Sequence, residues 1–203
     1  PEAVQSRLAW PEFRVASMML LAAEEAINQA GWTRGTLSDV ATGLLAATSK
    51  GDIPALLAHH SRESANYRSA TTLRPGASHV FLDCLPSGPG RMLAPRLGLR
   101  GPTICPVAAC ATGTHALIRA AGLIRDGDAR RALVVAGDAS LHPLLLGAFH
   151  NMGVLTRDAC RPFDRDRNGF VFGEGGALMV IETEEHAKAR GANILARIMG
   201  AAI

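Results

Sequence analysis

The reactive side chains of this 203-residue chain are four thiols, Cys84, Cys105, Cys110 and Cys160, and seven imidazoles, His59, His60, His79, His115, His142, His150 and His186. No two cysteines form a Cys-x-x-Cys pair, and no pair of histidines has helical zinc-site spacing with a third ligand, so no metal site is expected. Cys110 has a setting the other thiols lack. It comes after an apolar segment, Pro102 to Ala109, and precedes a helical run from about Thr114 to Arg125. Backbone N–H groups at a helix N-terminus favour a thiolate. A thiolate is the nucleophile for acyl transfer, and the same N–H groups can hold the oxyanion that forms. Gly113 and Thr114 keep the turn compact and let a substrate approach the backbone. The competing reading is a buried core cysteine, which is the one adopted for Cys84, Cys105 and Cys160.

Two other patterns carry less. The segment DRDRNG, Asp164 to Gly169, imitates the start of a calcium loop with Asp164, Asp166, Asn168 and Gly169 at positions 1, 3, 5 and 6. Position 12 would be Gly175, with Glu174 one residue early, so a charged turn leading into a strand is the better account. His115 lies five residues past Cys110 inside the helix and need not face the sulfur. No G-x-G-x-x-G or Walker A pattern supports nucleotide binding.

The elements that must position Cys110 can be read from hydrophobic spacing. Residues 12 to 30 predict a helix, with Val15, Met18, Met19, Ala22, Ala26 and Ala30 at helical intervals and Gly31 as the stop. Val40 to Ala47 predicts a short buried strand. Residues 53 to 100 predict short helices and loops. The helix after Cys110 carries Leu117, Ala121 and Ile124 on one face and ends before Gly127. Ala132 to Gly137 predicts a buried strand, so strand, helix and strand form a β-α-β unit of a parallel sheet. Leu144 to Val154 predicts a helix, Phe170 to Phe172 and Ala177 to Ile181 strands, Glu182 to Arg190 a short helix closed by Gly191, and Ile194 to Gly200 a final strand.

Composition sets the outer limits. The chain is 48% hydrophobic and 19% charged, enough for one domain with a real core or one large subdomain, and only 4% aromatic, so the core is built from Ala, Leu, Val and Ile. Disorder, a collagen repeat and a disulfide scaffold are excluded. A net charge of +3 is too small and dispersed to argue for nucleic acid. No apolar run reaches the roughly 18 residues of a membrane span, and PEAVQSRLAW has no signal-peptide core. Free thiols fit a reducing cytoplasm. The first residue is Pro rather than Met, which points to sequence upstream.

The stretch GPTICPVAACATGTHALIRAAGLIRDGDARRALVVAGDAS resembles the nucleophile region of beta-ketoacyl-acyl carrier protein synthases. CRPFDRDRNGFVFGEGGALMVIETEEHAKARGANILARIMG resembles that family's RPFD-x-x-R-x-GFV-x-GEG segment and the strand, helix and strand after it. The resemblance is loose over residues 12 to 203 and strong over 101 to 200. It implies an α/β, thiolase-like layered fold of which residues 1–203 are the N-terminal half, a ketosynthase N-terminal domain. It implies a decarboxylative Claisen condensation of an acyl thioester with malonyl-acyl carrier protein, in fatty acid or polyketide synthesis. Cys110 would be the acylated nucleophile, its own N–H an oxyanion donor, and Phe149 a lining residue of the acyl pocket. No cofactor is expected, since substrates ride on the phosphopantetheine of acyl carrier protein. The implied partners are that carrier and a second copy of the chain, paired through a strand at about Thr103 to Val107. Arg91, Arg96, Arg100, Arg130 and Arg131 could meet an acidic carrier or be ordinary surface arginines.

The departures matter too. The family's first strand, and the second half with its two histidines, lysine and glycine-rich loop, are not found in this sequence. Asp138 stands where a second glycine is common, and His142 where a small hydroxyl residue is common. Two alternatives therefore stand beside the enzyme: a non-catalytic ketosynthase partner, against which the retained Cys110 argues, and an inactive truncated fragment. Half of a two-half fold is also expected to expose apolar surface, and so to dimerise or to be poorly soluble.

Overall fold

The computed structural model describes residues 9–67 and 77–202; the N-terminal segment 1–8 and part of the stretch expected to hold short helices and loops, 68–76, lie outside them. Chain order is α1 (Arg14–Gln29), α2 (Arg34–Ser38), β1 (Thr42–Ala47), α3 (Ile53–Tyr67), α4 (Ala77–Cys84), α5 (Gly88–Leu97), β2 (Thr103–Ile104), a 3-10 turn (Ala109–Ala111), α6 (Thr112–Arg125), β3 (Arg131–Ala139), α7 (Pro143–Asn151), β4 (Glu174–Glu182) and α8 (Glu184–Ala189).

The four strands form one sheet in the order β2-β1-β3-β4. β1 runs parallel to both β2 and β3, with Leu44 opposite Thr103 and Leu45 opposite Val134. β4 is antiparallel to β3, with Val135 opposite Leu178. Side chains alternate across a strand, so each strand feeds two cores. Leu44, Ala46, Leu133 and Val135 face one way and pack with Val15, Met19, Ala23 and Ile27 of α1 and Leu93 of α5. Leu45, Ala47, Ala132 and Val134 face the other way, onto Ala116, Ala120 and Leu123 of α6. The result is a helix–sheet–helix sandwich. The α1 residues named lie at steps of four, which makes one helical stripe. Fully burying a Leu or Val of this kind stabilises the fold by about 1.5–3 kcal/mol.

Several sequence expectations are corrected by pairing. The strand, helix and strand around α6 are parallel, but β1 lies between β2 and β3, so they are not neighbours. The extended segment before Cys110 pairs over only Thr103–Ile104. Thr112 and Gly113, expected in the turn, begin α6. Of the Phe170 to Phe172 strand, only an isolated bridge from Phe170 to Leu155 forms. Ile194 to Gly200 is irregular and largely exposed rather than a strand. A strand needs a ladder, and this segment, apolar as it is, pairs with none of the four. Arg131 is 6% exposed, so it cannot serve as a carrier-facing surface arginine.

Polar side chains close the sandwich at two places. Asp52 is 2% exposed and accepts from Val15 N–H at the start of α1 and from Ala55 N–H in the first turn of α3, both at 3.1 Å. Burial pushes its carboxyl above the usual range, against the pull of those bonds. At the start of β3, Arg131 pairs with Asp39, donates to Thr42 Oγ1 at 3.0 Å and meets His186 Nε2 at 2.9 Å. His186 Nδ1 in turn meets Glu182, which also pairs with Arg190. Burial alone would raise the Glu182 carboxyl, but the bonds from Arg190 and His186 outweigh it and hold it below the usual value.

Two outcomes are expected. Asp52→Ala leaves two buried N–H groups without an acceptor and should lower the unfolding free energy in urea by about 1–3 kcal/mol. A carboxyl lowered in the folded state stabilises above its unfolded pKa of about 4.3 and loses that contribution as pH falls through the folded value. Glu182→Gln should therefore lower the melting temperature at pH 7 and flatten its fall between about pH 5 and pH 3; an unchanged acid slope would contradict this.

Candidate active site

The parallel strands β1 and β3 end at a shared rim, and α6 begins there. α6 can sit this close because its first turn presents glycine to alanine. A Cβ built on Gly113 would stand 3.3 Å from the Ala136 Cβ, tighter than ordinary van der Waals contact. Cys110 lies in the 3-10 turn immediately before α6.

Thr112 stitches that turn together. Its hydroxyl donates to the Ala109 carbonyl at 2.6 Å and accepts from Ala108 N–H at 2.9 Å, and the residue is 4% exposed. The turn's own backbone bonds run from Ala111 N–H to the Ala108 carbonyl and from Thr112 N–H to the Ala109 carbonyl. The Cys110 N–H takes part in neither. Ala109 is held at φ 48°, in the left-handed region that costs an L-residue roughly 1–2 kcal/mol. Strain next to an exposed thiol is a pattern seen where a reacting group is pre-positioned.

Cys110 is exposed and lines a cleft of about 660 Å³, within the size range of small-molecule sites. Phe149 of α7 lines the same cleft, so the two residues singled out from sequence are brought to one place. Two residues the sequence reading assigned only to a strand join them. Phe149 meets Phe172 edge-on, with ring centroids 5.0 Å apart, and Phe170 at 5.7 Å. Phe170 is held by Thr156 N–H donating to its carbonyl and its own N–H donating to the Val154 carbonyl, both at 3.0 Å. The GFVF spacing, two phenylalanines two apart, was the available signal.

Part of the lining is polar. Thr48, Ser49 and Lys50, just past β1, and Asp138 near the end of β3 form it. Lys50 Nζ bonds Asp138 Oδ2 at 2.9 Å. This pair was not anticipated from sequence. It gives Asp138, noted as departing from glycine, a partner 88 positions away.

Other residues from the sequence reading resolve into structural roles. His142 caps α7, its Nδ1 accepting from Leu144 N–H at 3.2 Å. Glu174 pairs with Arg14 at 2.5 Å and accepts from Leu141 N–H at 3.1 Å. The DRDRNG loop closes on itself, with Asp166 N–H donating to Asp164 Oδ1 at 2.8 Å. Among the described residues, no group of three or more His, Cys, Asp or Glu could hold a metal ion, and no helix is long and apolar enough to cross a membrane. The other thiols differ sharply in availability. Burial, with Asp52 and Asp83 nearby, pushes Cys84 up to about 11, and burial also raises Cys105, while Cys160 is exposed.

Comparison with known proteins agrees with this fold. Residues 14–187 match the family described as beta-ketoacyl synthase, N-terminal domain. The chain is 46% identical over 126 residues to the 3-oxoacyl-[acyl-carrier-protein] synthase 2 of Mycobacterium bovis, covering 59% of this chain and 30% of that protein. It is 34% identical over 189 residues to nodulation protein E of Rhizobium meliloti, covering 92% and 45%. Among solved structures, a beta-ketoacyl synthase from Burkholderia phymatum superposes with a TM-score of 0.74 at 26% identity, covering 95% of this chain and 47% of that one. The ishigamide ketosynthase/chain length factor gives the same TM-score, covering 94% and 47%. The chain thus spans less than half the length of these relatives.

Thr112→Val keeps the shape but leaves the Ala108 N–H and the Ala109 carbonyl without their partner. It should lower the unfolding free energy by about 1–2 kcal/mol. Alkylation of Cys110 by iodoacetamide, mapped by peptide mass, should slow several-fold while exposed Cys160 reacts as before. Equal rates at Cys110 would show that the hydroxyl does not position the thiol.

Proposed function

The chain belongs to the beta-ketoacyl synthase family, and from that premise we propose that it is the nucleophile-bearing part of a 3-oxoacyl-acyl carrier protein synthase, an acyltransferase of fatty acid or polyketide synthesis. One observation carries the reading: an exposed thiol on a strained turn at the head of α6, opening into a cleft walled by three phenylalanines.

That placement supports acyl transfer through Cys110. The Cys110 thiolate attacks the carbonyl of an acyl thioester held on the carrier's phosphopantetheine. A C–S bond forms to Cys110, the carrier thiol leaves, and the Cys110 N–H is placed to stabilise the oxyanion in between. The alkyl part lies against Phe149, Phe170 and Phe172. Malonyl-acyl carrier protein then loses carbon dioxide, and its carbanion attacks the enzyme thioester, forming the C–C bond and freeing Cys110. The steps we assign to Cys110 are acyl acceptance and transfer.

The protein needs no cofactor of its own on this reading. Acyl carrier protein is the partner, with a second copy of the chain, and the cytoplasm is the site of action. Exposed apolar side chains, among them Met179, Leu195 and Met199, supply surface for further packing. The likeness to the ishigamide ketosynthase/chain length factor favours a second reading, a non-catalytic ketosynthase partner; the exposed Cys110 weighs against it.

Cerulenin, a thiol-directed acyl mimic, should label Cys110 and spare Cys84 and Cys105, with Cys160 as the exposed control. Cys110→Ala should abolish the label at that peptide. Labelling that survives the substitution, or that is no faster at Cys110 than at Cys160, would remove the nucleophile assignment.

A further inference from the structure

The cleft beside Cys110 is lined by polar as well as apolar side chains, among them Lys50 and Asp138. Among the described residues, Lys50 is the one Lys, Arg or His lining the cleft, and Asp138 the one acid. Their position comes from the pleat. Ala132, Val134 and Ala136 of β3 face α6, and Ala136 touches Gly113. Asp138 comes two residues after Ala136, so it stands on the same face, one step nearer the rim where Cys110 lies. Gly137 points the other way, where a Cβ would meet Met19 Cγ at 2.8 Å.

The hydrogen-bonding capacity of this polar lining is only partly used. An ammonium has three donors. Lys50 gives one to Asp138 Oδ2 at 2.9 Å and one to Ser49 Oγ at 3.0 Å. The second oxygen, Asp138 Oδ1, accepts no hydrogen bond among the described residues. Thr48, in the same lining and 2% exposed, has a buried hydroxyl with no partner among them. The pair is neutral overall, so it does not favour an anion. It offers one spare donor and one spare acceptor side by side, which suits a neutral oxygen function such as a hydroxyl or ketone. A plain hydrocarbon laid over the pair would strip its water and return no hydrogen bond.

We infer that Lys50 and Asp138 form a subsite for an oxygen substituent on the acyl group, and that they select 3-hydroxyacyl or 3-oxoacyl thioesters over saturated ones of the same length. The inference rests on the proposed acylation of Cys110 and adds to it the class of acyl group accepted. The apolar remainder of the chain keeps to the phenylalanines.

The test uses the full chain and N-acetylcysteamine thioesters. The Cys110 thiolate takes the acyl group, a C–S bond forms, and N-acetylcysteamine leaves as a thiolate that picks up a proton. Intact mass follows the adduct for 3-hydroxyoctanoyl and octanoyl donors, with Cys110→Ala as the blank. Wild-type protein should load the 3-hydroxy donor at least about tenfold faster. Lys50→Met with Asp138→Leu removes both charges together, leaving neither unpaired, and should bring the two rates within about twofold. Lys50→Gln, a milder change, should give an intermediate ratio and guards against misfolding of the double variant, checked by its thermal melt. Adducts formed without preference, or a preference that survives the double variant, would overturn this inference alone. No Cys110 adduct with either donor would overturn the acylation reading beneath it as well.

Discussion

Everything at the candidate site depends on how tightly α6 lies on the sheet. The contact face sets Ala47, Ala132 and Ala136, beside Leu45 and Val134 on the strands, against Gly113, Ala116, Ala120 and Leu123 on the helix. Small side chains let the helix axis approach, and Gly113 against Ala136 leaves no room for a larger residue at either position. That approach brings the helix N-terminus to the carboxyl ends of β1 and β3, the edge where open α/β sheets bind ligands. A larger side chain at Gly113 would push the head of α6 away from Ala136 and shift the Cys110 turn.

The larger of the sheet's charged networks lies away from the reactive end. Arg131, Thr42, Asp39, Glu182 and His186 gather at the start of β3, the far end from the cleft. From Arg131 to Asp138 is seven residues along one strand, roughly 23 Å at the usual rise. Two ends of the same two strands thus carry different tasks. One end is locked by a chain of charge-assisted bonds, and the other offers spare hydrogen-bonding groups and a thiol. That network holds β3 against β4 and α8 without touching the cleft, where the ion pair is Lys50 with Asp138.

The apolar exposure has a plain structural origin. β4 is a sheet edge, and its start carries Gly175, Gly176 and Ala177, all exposed on one side. Its other side lies so close to α1 that a Cβ on Gly176 would stand 2.9 Å from the Met18 carbonyl. Met179 on β4, and Leu195 and Met199 beyond α8, are left without cover among the described residues. Exposed large apolar side chains of this kind suit further packing.

Local patterns in the sequence were enough for the long helices and for the turn that carries Cys110. The four-residue steps in α1, the glycine after it and the run before and after Cys110 are short-range signals, because a helix satisfies its own hydrogen bonds within the segment. Strands do not. Ile194 to Gly200 reads as a strand yet pairs with nothing, and the Phe170 to Phe172 strand shrinks to one bridge, because a strand exists only where another supplies its ladder. The same holds for the site. Cys110 was legible from what flanks it in the chain. Lys50 beside Asp138, and Phe149 against Phe170 and Phe172, were not, since their meeting depends on which strands lie side by side and on which face each residue turns. Spacing in the chain determined the thiol and its helix; the non-local register of β1 against β3 decided what surrounds them.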